Sequence, residues 1–68
     1  MAENDLIVEY VQLPDAITKS WCIRRWHQII CCEPRLDPVL AIARKMCGDL
    51  QCAAWLLVAG TQIPIPPS

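Results

Sequence analysis

Six prolines cut this chain into pieces, and no single long helix or strand can run through them. Pro14 closes the first piece, Glu33-Pro34 ends the second, Asp37-Pro38 opens the third, and Pro64, Pro66 and Pro67 stiffen the end. The residue before each proline is pushed out of the helical region, so these positions read as element boundaries.

Within those boundaries, the stretch Leu6 to Leu13 (LIVEYVQL) is rich in Val, Ile and Tyr and reads as a short strand. Such a strand finds no mate in a chain whose remainder reads as helical, so it must lie across the helices or pair with a second copy. The stretch from Pro14 or Asp15 to Cys32 reads as the longest helix, with Cys22, Ile23, Trp26, Ile29 and Ile30 on a core face and Ile17, Trp21, Arg24 and Gln28 opposite. A second helix starts at Asp37-Pro38, with Asp37 as N-cap and Val39, Ile42, Ala43 and Met46 at helical spacing, and Gly48 ends it. A third, Leu50 to Ala59, is apolar all round, which suits a central helix or one paired across an oligomer interface. The expected fold is therefore mainly α: a small three-helix domain with an extended N-terminal arm (1–13), a helical core (14–60) and a Pro-rich tail (61–68) in polyproline II conformation.

Apolar residues make up 54% of only 68, more than so small a core can hide, so part of that surface belongs in an interface and a homodimer is expected. The formal net charge of −1 creates no strong field for nucleic acid or anionic lipid. The longest apolar run, Cys52 to Gly60, is far shorter than the roughly 20 residues that cross a bilayer, and the acidic start is not an export signal. A soluble, cytoplasmic chain without a membrane role follows.

Five cysteines, an odd number with no export signal before them, read as reduced and mostly buried thiols. His27 and Cys31 stand four apart on the expected helix, with Cys47 and Cys52 elsewhere, but no C-x-x-C pair supports a metal site. No metal or cofactor is expected. Cys31 beside His27 lacks a third group to orient the histidine, and two glycines cannot build a phosphate loop, so no enzyme is expected.

The fragment Ile17-Thr18-Lys19-Ser20-Trp21-Cys22-Ile23-Arg24-Arg25-Trp26 resembles the recognition-helix region of excisionases and related small helix-turn-helix regulators. The resemblance implies that Ile23 and Trp26 pack inward while Lys19, Arg24, Arg25 and Gln28 reach DNA, in a helix over 18–28. Against DNA stand the nearby acids Glu3, Asp5, Glu9 and Asp15. Trp21 beside Arg24 and Arg25 has the composition of a protein-binding hot spot, and this reading is preferred. The function expected is that of a small non-enzymatic regulator or adaptor, of the kind found in phages and mobile elements, binding a protein partner through Trp21, Arg24, Arg25 and Gln28. On the same wheel Trp26→Ala should open a core cavity costing about 3–5 kcal/mol, whereas Trp21→Ala should leave the fold intact.

Overall fold

The computed structural model describes residues 4–66 and overturns the three-helix expectation: 24% of these residues are helical and 48% lie in strands, so the protein is mainly β. The order is β1 (Leu6–Gln12), β2 (Lys19–Arg25), β3 (Gln28–Glu33), α1 (Leu36–Leu50), β4 (Ala54–Val58) and β5 (Thr61–Ile65). The strands form one sheet in the order β3-β2-β1-β4-β5, in which β1 and β4 run parallel and every other pair is antiparallel. Residues 1–3 of the expected arm, Glu3 among them, and residues 67–68 of the tail lie outside the described residues.

The expected extended segment exists as β1, but it needs neither helices nor a second copy for support. It is the central strand, with Val8 opposite Ile23 of β2 on one side and Leu56 of β4 on the other. The expected first helix is instead the β2–β3 hairpin. Alternation along β2 puts Trp21, Ile23 and Arg25 on one face and Ser20, Cys22 and Arg24 on the other. The wheel that grouped Cys22, Ile23, Trp26, Ile29 and Ile30 therefore does not apply: Ile23 is fully buried, while Trp26, Ile29 and Ile30 are 53%, 46% and 43% exposed. Trp26 sits in the two-residue turn with φ 57°, in the left-handed region. Its indole Nε1 donates to Asn4 Oδ1 at 3.0 Å, and the Arg25 guanidinium lies over its ring at 5.2 Å.

The expected third helix is also a hairpin, β4–β5, turning at Ala59 and Gly60 with φ 49° and 80°. Two successive left-handed residues match the right-handed twist of paired strands. β5 takes up most of the residues expected as a polyproline tail, and Pro64 fits because β5 is an edge strand, where a missing N–H disrupts no inner ladder.

One helix remains, a little longer than expected at both ends. Arg35, without a side-chain capping bond, holds the N-cap position instead of Asp37, which lies in the first turn. At the other end the helix passes Gly48 and stops at Gln51, whose φ of 53° turns the chain left-handed. Leaving edge strand β3, α1 crosses one face of the sheet and delivers the chain to β4, packing Val39, Ala43 and Cys47 onto Leu6, Val8, Ile23, Ala54 and Ile65. Asp5 anchors the start of β1 beside β4: it is 8% exposed, and its carboxylate accepts the Ala53 N–H at 3.3 Å and Trp55 Nε1 at 2.9 Å.

The expectation of reduced thiols fails for two of the five. Antiparallel pairing sets Cys22 directly opposite Cys32 with Cα atoms 4.1 Å apart, and the two form a disulfide. Cys31, Cys47 and Cys52 are free. No helix among the described residues is long and apolar enough to cross a membrane.

Candidate functional site

β1 and β4 lie side by side and parallel, yet their chains leave in opposite directions, β1 toward β2 and β4 toward β5. A crevice opens where neighbouring parallel strands diverge in this way, and in open sheets it is the favoured place for a ligand. Here the register explains the opening. β1 and β4 pair from Leu6–Ala54 to Glu9–Leu57, after which β1 runs on to Gln12 while β4 ends at Val58 and turns away. The resulting cleft, about 400 Å³, is lined by Glu9, Tyr10, Trp21, Leu57, Val58, Ala59 and Gly60.

Tyr10 and Trp21 form its aromatic part. They are cross-strand partners, and their rings lie 4.9 Å apart at a tilt of 39°. The Lys19 ammonium stands 5.9 Å from the centre of the Tyr10 ring, which offers a cation its negative face. Glu9 is held by Arg24, whose Nε lies 3.1 Å from Glu9 Oε1. The loop from residue 13 to 18 rises at the same end of the sheet, fastened by the Ala16 N–H to the Leu13 carbonyl at 3.2 Å and by Gln12 Nε2 to the Ala16 carbonyl. Within this loop Ile17 is 99% exposed.

The polar atoms of the aromatic pair are available. Trp26 Nε1 is taken by Asn4 and Trp55 Nε1 by Asp5, but among the described residues neither Trp21 Nε1 nor the Tyr10 hydroxyl has a protein partner. Trp21 Nε1 is also not among the buried, unsatisfied atoms, so it reaches solvent. The cleft thus offers two aromatic surfaces and an apolar wall, and its two aromatic residues carry donors without a protein partner among the described residues.

Of the residues expected to form one binding face, the structure brings only Trp21 to this cleft, with Lys19 beside it. Arg24 projects from the opposite face of the sheet, Arg25 Nε donates to the Asn4 carbonyl at 3.0 Å, and Gln28 begins the edge strand β3. Lys19, Arg24 and Arg25 therefore form no common stripe, and the helix over 18–28 that was to carry DNA contacts is a hairpin. His27 and Cys31 lose their helical spacing for the same reason, and among the described residues no group of three or more His, Cys, Asp or Glu side chains could hold a metal. Tyr10, Leu57, Val58 and the Ala59-Gly60 turn were missed. For residues 57–60 the signal is a short, continuous apolar run ended by a Gly, which fits a buried strand as well as a helix. Comparison of the chain with protein-family models, curated proteins and solved structures finds no match.

Proposed function

We propose that the protein is a small non-enzymatic binding domain whose cleft takes an extended, proline-containing segment of a partner protein. The observation that carries this reading is the Tyr10–Trp21 pair, with both of its polar atoms unclaimed, at an open crevice between diverging strands. A polyproline II segment makes no internal hydrogen bonds, so its carbonyls need outside donors, and its proline rings pack flat on aromatic surfaces. Tyr10 and Trp21 supply both. The cleft's one carboxylate, Glu9, is already engaged with Arg24, which suits recognition rather than acid-base chemistry.

The test is a titration of the protein with a decaproline peptide, and with a Gly-Ser peptide of equal length, followed by heteronuclear NMR. Shifts confined to Tyr10, Trp21, Val58 and the Ala59-Gly60 turn, seen with decaproline alone, support the reading. Trp21→Ala should then weaken binding at least about tenfold, the loss of one well-placed aromatic contact, while Trp26→Ala leaves it unchanged. Equal response to both peptides, or shifts elsewhere on the sheet, would sink it.

A further inference from the structure

The closing turn of α1 brings two of the three free thiols together. Gln51 occupies the left-handed position after the helix, and its N–H and that of Cys52 both turn back to the Cys47 carbonyl, the latter at 3.2 Å. This is the helix-ending motif in which the side chains at the two ends of the longer bond pack against each other, commonly as a hydrophobic contact. In this chain both members of that contact are cysteine. A carbonyl-to-amide link of this length leaves the two Cα atoms at most about 7 Å apart, near the range of about 4.4–6.8 Å that most disulfides span.

We propose that Cys47 and Cys52 are a dithiol modification site that closes to a second disulfide by exchange with a small-molecule disulfide such as oxidised glutathione. The two thiols differ in the way such a step requires. Cys47 is 4% exposed, inside the helix–sheet core, whereas Cys52 is half-buried at its rim. Burial first, then the neighbouring Cys52 and Asp5, push the Cys47 thiol up, so it is the poorer first nucleophile. Cys52 therefore attacks. Its thiolate adds to one sulfur of oxidised glutathione, the sulfur–sulfur bond breaks, and one glutathione thiolate leaves with Cys52 held as a mixed disulfide. Cys47 then gives its proton to water and attacks the Cys52 sulfur, expelling the second glutathione. Two protein thiols are oxidised and one glutathione disulfide is reduced to two thiols. The remaining free thiol, Cys31, stands on β3, with β2 and β1 between it and the β4 end that Cys52 precedes.

The new bond would tie the end of α1 to the segment entering β4, independently of what the cleft binds. The experiment uses the full chain with Cys22–Cys32 closed, equilibrated across ratios of oxidised to reduced glutathione, quenched in acid, alkylated and digested with trypsin. No Lys or Arg follows Lys45, so Cys47 and Cys52 stay in one peptide, 46–68, whose mass reports closure directly. The expected result is a fall from three alkylated thiols to one, Cys31, with peptide 46–68 carrying no alkyl group and lighter than its unalkylated dithiol form by the two thiol hydrogens. Cys47→Ser should trap glutathione on Cys52, and Cys31→Ser should change nothing. The proposal is overturned if wild-type protein keeps glutathione on Cys52 without closing, if both thiols stay alkylatable at ratios where Cys22–Cys32 is intact, or if either pairs with Cys31.

Discussion

The three tryptophans of this chain carry similar apolar area and are held by very different means. Trp21 packs against the core with one side and lines the cleft with the other, Trp55 is fixed by the Asp5 carboxylate, and Trp26 hangs at a turn on one hydrogen bond and one stacked arginine. Their costs of removal should differ accordingly. Trp26→Ala is expected to lower stability by only about 1 kcal/mol, the worth of an exposed hydrogen bond with some packing. Ile23→Ala, at a position with no exposure in the middle of the helix–sheet contact, should cost about 2–5 kcal/mol. Urea unfolding of both variants measures this, and a larger loss for Trp26 would place the core at the hairpin turn instead.

At the level of elements, α1 owes its position to Val39, Ala43 and Cys47 on one stripe, and Cys47 makes its last turn sensitive to alkali. Folding raises the affinity of this thiol for its proton. The unfolded chain loses that proton once pH passes the ordinary value of 9.0, so the contribution to stability is complete below that pH and is lost as pH climbs toward the raised folded value. Thermal melts of reduced protein should therefore fall more steeply above about pH 9 than those of Cys47→Ala, and parallel curves would refute the assignment. That helix was legible from Asp37-Pro38 and the spacing of Val39, Ile42, Ala43 and Met46, and β1 from its run of β-branched residues. The hairpins were not, for physical reasons. Turns with left-handed residues are normally announced by Gly or Asn, and here Trp26 and Ala59 take those positions instead. A mixed stretch such as 21–32 and a short apolar run such as 52–58 fit a helical wheel as readily as a strand until partners are known. Of the candidate site, Trp21 was legible because an aromatic beside cationic residues is rare on a solvated face. Tyr10 was hidden because its meeting with Trp21 depends on the register of two strands.

For the whole molecule, the two sheet edges are unequal. β5 carries Pro64, which denies an incoming strand one hydrogen bond, whereas β3 has no proline and shows Ile29 and Ile30 to solvent. The expected homodimer is best proposed there. An antiparallel β3–β3 pairing, flanking the register slip that leaves Ile30 unpaired against β2, would bring the Arg25-bearing turn of each copy toward the other's Glu33. Light scattering after size exclusion should then show a dimer for the wild type and a monomer for Ile30→Lys, and a wild-type monomer at all concentrations tested would dismiss the arrangement. The placement of β1 has a bearing on synthesis. The strand at the centre of the sheet is made well before its second neighbour, β4, which begins only at residue 54. Until β4 has been added, one side of β1 is an open template of unpaired backbone N–H and C=O groups, and any product released before then keeps it open. Messages that end before β4 would thus yield sticky fragments rather than partly working domains.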